Sequence, residues 1–189
     1  PSLELDQQRI ITHGKQGVRK RTIRIVYENG QEVQRTMDRE WVDEEPRTQV
    51  LGYGTRVIVR TLMTPDGPIE YWREIRAWAT FYTPLLSGTP LNAPWFGITR
   101  TGKRATKGVI AVDPDVIRLH TPMYVPGYGF GAAEDTGGMI IGKIVDLCYD
   151  DDDSHPERWN WARWTSVDLL TPVPSDIPWV LTDFPQERR

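Results

Sequence analysis

Apolar and polar residues alternate in short runs along this chain, the period of half-buried strands. In the first 60 residues Ile23, Ile25 and Tyr27 alternate with polar neighbours, the chain turns at Asn29-Gly30, and the alternation resumes at Val33. Asn-Gly between two alternating runs is a strong hairpin signal, so residues 1–60 read as a small β module with charged outer faces. Thr64-Pro65-Asp66-Gly67-Pro68 marks a tight reversal between a β-branched and an aromatic run. Residues 61–79 are therefore expected to form a connecting hairpin, with Trp72 and Trp78 packed at the junction. The Pro- and Gly-rich stretch 80–108 cannot hold a long helix. Trp95 and Phe96 lie on its expected loop, as core packing or as a saccharide platform.

The segment 109–147 carries four short apolar runs, VIAV, MYV, MIIG and IVDL, each expected to be a strand. Asp-Pro, Pro-Gly and Gly-Gly signals separate them, and Gly127 to Gly131 reads as a tight β-turn. Three aspartates punctuate the segment: Asp113 ends the first run, Asp135 falls on the turn before the third, and Asp146 interrupts the apolar fourth. A carboxylate among Ile144, Val145 and Leu147 is out of character for a buried strand. After it come four aspartates, Asp150 to Asp153. An EF-hand counted from Asp150 fails, because the sixth position is His155 and the twelfth Trp161, which leaves an irregular calcium site or an acidic loop before a short helix capped by Ser154 and Glu157. Thr165 to Leu170 reads as a last strand, and 171–189 as a Pro-rich surface tail.

Composition narrows the function classes. A net charge of -3 on 189 residues gives no field that would gather nucleic-acid phosphates. No apolar run approaches the roughly 20 residues of a membrane span. The single cysteine, Cys148, excludes an internal disulfide and reads as a small buried apolar residue. Arg19, Lys20, Arg21 and Arg24 form a basic patch beside Asp43, Glu44 and Glu45, read as a solvated strand face; Arg100, Lys103, Arg104 and Lys107 read as a solvated loop. The start at Pro1, without Met or a leader pattern, reads as a piece of a longer protein.

The three histidines, His13, His120 and His155, stand apart with no Cys or His at metal-ligand spacing, so neither a catalytic zinc site nor a cofactor is expected. Neither a nucleophile elbow nor a phosphate loop occurs. Carboxylates remain, whose natural work is acid and base chemistry on glycosidic bonds. An acid that is still protonated near neutral pH needs burial or a like-charged neighbour. Asp146 on its apolar strand meets the first condition and Asp135 could supply the second. Each aspartate alone is also an ordinary turn or strand residue, and Asp113 before Pro114 fits an Asx-turn.

His13-Gly14, Gly17, Asn29-Gly30, Glu45-Pro46 and Gly54-Thr55 make residues 8–56 resemble the G5 domain, a small all-β module found beside wall-acting domains of bacteria. GVIAVDP, the GYG turn, AEDTGG and IIGKIVDL resemble the 3D domain, named for three aspartates, in register with its spacings of 22 and 11 residues. ATFYTP and ITRTG extend that likeness over 76–170. Together they imply a mainly β protein: a G5-like module followed, over residues 80–170, by a six-stranded double-psi β-barrel. The barrel would be similar to the catalytic domains of membrane-bound lytic transglycosylase A and the stationary-phase muramidase-like proteins. Carried over, Asp146 is the sole acid/base, Asp135 supports it and Asp113 holds a turn, with Tyr82, Thr101, Thr136, Gly137 and Lys143 as substrate-binding positions. The expected partner is a peptidoglycan glycan strand, cleaved with formation of a 1,6-anhydro sugar, and the expected location is extracellular or the bacterial cell wall. A non-catalytic glycan-binding or scaffold protein and a two-carboxylate β-glycan hydrolase stay open as alternatives.

Overall fold

The computed structural model describes residues 3–152 and 162–181. The fold is mainly β, with one 3-10 turn at Pro84–Leu86 and no α-helix among the described residues. It divides into two compact units, Gln7–Gly54 and a larger one made of Pro1–Asp6 with Thr55–Arg189.

The small unit is two antiparallel ribbons. β1 (Gln8–Thr12) pairs with β4 (Val50–Tyr53), and β2 (Val18–Glu28) with β3 (Gln31–Glu44). Asn29 and Gly30 take φ of 52° and 80°, the left-handed pair that a twisted two-residue hairpin requires. The long ribbon is exposed on both faces, so no core holds it. Its basic patch is paired across the strands instead: Arg19 with Glu40, Lys20 with Asp43, Arg24 with Asp38. The ribbons meet at a waist where Lys15 and Arg47 exchange both backbone hydrogen bonds at 2.9 Å. At Gly17 a Cβ would stand 2.8 Å from both the Glu44 carbonyl and Pro46 Cδ. Gly17→Ala is therefore expected to cost about 1–2 kcal/mol through backbone displacement, read as a lower melting transition of this unit with the barrel transition unchanged.

In the large unit β5 (Arg60–Thr64), β6 (Gly67–Tyr82), β7 (Val109–Ala111), β8 (Pro122–Val125), β9 (Gly129–Asp135), β10 (Ile144–Cys148) and β11 (Arg163–Leu170) form one sheet. The order β10-β7-β9-β8-β11-β6 closes on itself through a parallel β10–β6 pairing, giving a six-stranded barrel to which β5 adds as a hairpin arm. Closure removes the free edges an open sheet would expose. Ala77, Ala79, Ile110, Ala133, Val145, Leu147, Val167 and Leu169 alternate inward as the core.

Residues 61–79, expected as a connector, thus provide β5 and most of β6, the strand that touches β5, β10 and β11. Trp72 is in the barrel core, and Trp78 is half-buried on the opposite face of the wall. Two further expectations are corrected. MIIG is a loop, because Gly142 takes φ of 67°. Gly129 to Gly131, expected as a turn, opens β9. There a Cβ at Gly131 would fall 2.7 Å from Ile110 Cδ1, so glycine is what lets β9 lie close to β7. The Ser154–Glu157 cap and tail residues 182–189 lie outside the described residues.

On the outer side of the wall Asp168 is only 1% exposed, between Glu74 on β6 and Tyr124 on β8, and its Oδ1 has no hydrogen-bond partner. Burial, aided by the Glu74 charge, pushes its carboxyl from the ordinary 3.8 up to about 6. The folded state therefore holds a proton that the unfolded chain releases, and this stabilisation is complete below about pH 4 and lost as pH rises through about 6. Asp168→Asn is expected to be about 2–3 kcal/mol more stable than the native chain at pH 7.5, with the difference vanishing at pH 4. Denaturant melts at the two pH values check it.

Candidate functional site

The site lies on the outer face of the barrel wall, and strand register builds it. Thr80 on β6 pairs with Asp146 on β10, Asp146 pairs with Ala111 on β7, and Ala111 pairs with Asp135 at the end of β9. These four residues form one row across four strands. Their inner neighbours Ala79, Val145, Leu147 and Ile110 point into the core, so alternation turns Thr80 and Asp146 outward. Two residues further along the same strands, Tyr82, Cys148 and Val109 pack with Ala105 as a second apolar cluster. The segment around Ala105 thereby roofs one end of the row.

Asp146 is half-buried, and Thr80 Oγ1 donates to its Oδ1 at 2.6 Å. Burial pushes its carboxyl above the ordinary aspartate range; the Thr80 hydrogen bond opposes that and the Asp135 charge adds to it. Asp135 is held differently. Its Oδ1 accepts the backbone N–H groups of Arg100 and Thr136, each at 2.9 Å, and its Oδ2 accepts the Tyr82 hydroxyl at 3.1 Å. Both oxygens are occupied by donors of the protein itself. Burial and the neighbouring Cys148 and Asp135 keep the Tyr82 hydroxyl protonated, as a donor. Burial likewise pushes the Cys148 thiol up to about 11, so it is no nucleophile at neutral pH.

Asp113 stands apart from this pair. It is 6% exposed; Oδ1 accepts the Asp115 N–H at 3.1 Å in an Asx-turn, and Oδ2 accepts the Gly142 N–H at 2.7 Å. It ties the end of β7 to the loop that feeds β10. Among the expected substrate-binding positions, Tyr82 and Thr136 touch Asp135. Gly137 starts the loop before β10, where a Cβ would meet Ile140 Cγ1 at 2.8 Å, and the Lys143 carbonyl accepts the Trp78 N–H. The Thr101 hydroxyl lies 2.7 Å from Glu134 Oε2.

That last contact exposes a residue the pattern reading overlooked. Glu134, 4% exposed, accepts from Lys103 Nζ at 2.5 Å and lies 3.2 Å from His120 Nδ1. Burial pushes its carboxyl up, but the Lys103 and Thr101 hydrogen bonds outweigh that and hold it below the ordinary glutamate range. Glu134 fixes the 99–103 loop, and that loop delivers the Arg100 N–H to Asp135. The only sequence signal was a second carboxylate directly before Asp135, within the Gly-rich run.

Trp95 is exposed, while Phe96 lines a neighbouring cleft of about 370 Å³ with Pro84, Arg104 and Asp150 to Asp152. Asp150 and Asp151 accept the backbone N–H groups of Lys107 and Leu85. No group of three or more metal-ligating side chains occurs among the described residues, and Asp153 lies outside them.

A glycine-waisted β ribbon and a six-stranded barrel with three spaced aspartates define a two-module protein of the G5 and 3D type. The G5 domain profile matches residues 1–56 and the 3D domain profile residues 108–167. The chain is a G5 and 3D domain protein. It is 42% identical over 106 residues to "Cell wall-binding protein YocH" of Bacillus subtilis, covering 53% of this chain and 34% of that protein. It is 30% identical over 160 residues to "Putative cell wall shaping protein YabE" of the same organism, covering 77% of this chain and 36% of that protein. The chain thus spans about a third of the length of these relatives. Thr80 and Tyr82, which hold the two aspartates, lie upstream of the 3D match.

Proposed function

We propose that this chain acts on the bacterial cell wall as a lytic transglycosylase, cleaving the β-1,4 bond between N-acetylmuramic acid and N-acetylglucosamine. The observation that carries the reading is Asp146: a half-buried carboxyl with a raised proton affinity, one oxygen fixed by Thr80, facing outward beside a second carboxylate. Protonated Asp146 gives its proton to the glycosidic oxygen as the C1–O bond breaks. The carboxylate left behind takes the proton of the sugar's own C6 hydroxyl while that oxygen bonds to C1. The proton is restored, no water is consumed, and the product is a 1,6-anhydro sugar. Attack within one ring supplies its own effective concentration, so no protein nucleophile is needed.

Asp135 favours this course over two-carboxylate hydrolysis. A hydrolytic base must bind water, whereas Arg100, Thr136 and Tyr82 already take three of the four acceptor positions of the Asp135 carboxylate and leave one, on Oδ2. Its charge raises the proton affinity of Asp146 instead. The relatives' names, one wall-binding and one wall-shaping, support the wall as the partner and an extracellular or wall location. No helix among the described residues is long and apolar enough to cross a membrane.

The likeness to YocH, a cell wall-binding protein by name, favours a second reading, in which the barrel only grips glycan. Digestion of purified walls separates the two. Release of muropeptides that resist borohydride reduction supports the transglycosylase, whereas binding to walls with no soluble product supports the gripping module.

A further inference from the structure

The outer wall that carries Asp146 continues along β6 as Trp78 and then Arg76, beside Trp164 and Ser166 of β11. Trp78 is two residues from Thr80, roughly 7 Å along a strand, close enough for the sugar next to one held at Asp146 to meet it. The Trp78 and Trp164 rings meet edge to face, 5.5 Å between centroids at 70°. Trp164 is 54% exposed, an indole left in water on a strand of the closed barrel. Arg76 Cζ lies over the Trp164 ring, 5.6 Å from its centroid, which places the guanidinium on one face of the indole. No carboxylate among the described residues forms an ion pair with Arg76. Beyond it the exposed Glu74 makes the face acidic.

We infer that Trp78, Trp164 and Arg76 form a glycan subsite next to Asp146, for a pyranose ring bearing a free carboxylate substituent, which in wall glycan is a muramic residue whose lactyl carboxyl carries no stem peptide. The inference rests on the glycan reading of Asp146 proposed above and names the substrate feature that the same face reads. The exposed part of the Trp164 indole packs against the apolar C–H face of the sugar ring, with Trp78 as its wall. The planar Arg76 fork receives the carboxylate, as guanidinium groups do through paired N–H donors. The exposed Glu74 repels a negative group placed one step further, which fixes the register of the acidic sugar against Asp146. Continuity with the Asp146 row and the sign of the charge together select an acidic glycan over a neutral one.

Binding can be read apart from turnover in the full chain carrying Asp146→Asn. Two probes are compared: chitotetraose, which is neutral, and a peptide-free tetrasaccharide of alternating N-acetylglucosamine and N-acetylmuramic acid, whose lactyl groups are carboxylates. In that background Trp164→Ala is expected to weaken both probes about tenfold, with Trp164→Phe in between. Arg76→Gln is expected to weaken the acidic probe about tenfold and to leave the neutral one within about twofold. Arg76 is exposed, so its variant keeps the test open if the tryptophan variants fail to fold. Equal loss of both probes on Arg76→Gln, unchanged binding in the Arg76 and Trp164 variants, or no saturable binding of either probe overturns the inference. If the variants behave as expected but the native chain releases no anhydro product, the subsite stands and the transglycosylase reading falls. If anhydro product forms while the variants bind as before, the subsite falls alone.

Discussion

Asp146→Asn is expected to lower anhydro-muropeptide release from purified walls by about a thousandfold or more, the upper range of what one general acid/base contributes. In the proposed mechanism one group serves both proton transfers, so nothing else on the row replaces it. The fold should not suffer. The amide oxygen can still accept from Thr80 at the Oδ1 position, and the buried carboxyl, whose raised proton affinity makes its charge a cost as pH rises, is replaced by a neutral group. Thermal melts at neutral pH should therefore show an unchanged or higher midpoint beside lost activity. The same direction sets the native pH profile: the acid must start protonated, so activity falls as pH rises through the elevated Asp146 value. A variant that loses activity and melts early would place Asp146 in the framework rather than the chemistry.

Asp113→Ala is expected to act in the opposite way, costing about 4 kcal/mol of stability. It removes the Asx-turn and leaves the Gly142 N–H, whose bond is charge-assisted and buried, without its partner. Both bonds go to backbone at the loop that leads into β10, so Asp146 would be displaced as a consequence. Asp113→Asn keeps an oxygen for one donor and should recover part of the stability and activity together. Denaturant melts with wall-digestion rates check this: activity should track stability across the Asp113 variants and be uncoupled from it at Asp146. The three aspartates would then separate into a chemical centre, its electrostatic neighbour and a structural tie.

The inequality of the three was partly legible in the sequence. Asp146 stood out because an apolar strand rarely tolerates a carboxylate, and its place on β10 between buried Val145 and Leu147 is the alternation that pattern implies. Asp113 before Pro114 carried an Asx-turn signature, and the turn is present. Asp135 was read as a turn residue because Gly129 to Gly131 hides β9 from any propensity argument; close packing against Ile110, a tertiary fact, makes that strand. MIIG failed for the complementary reason. Its apolar run looks like a strand, but the left-handed Gly142 and its bond to Asp113 place it in a loop. The Thr80–Asp146 contact spans 66 residues through a parallel pairing, and local sequence carries no register information over that distance. Glu134 and the exposed Trp164 corner escaped for the same reason, since burial and ring contacts become visible only once the barrel closes.

Ring closure through the sugar's own C6 hydroxyl leaves no place for water, so product analysis after digestion in heavy-oxygen water separates the proposed reaction from hydrolysis. Muropeptides released by the native chain from purified walls are predicted to carry no heavy oxygen at the cleaved C1 and to be one water lighter than their hydrolysed counterparts. Incorporation of one heavy oxygen at C1, with a free reducing end, would instead assign the Asp146 row to hydrolysis.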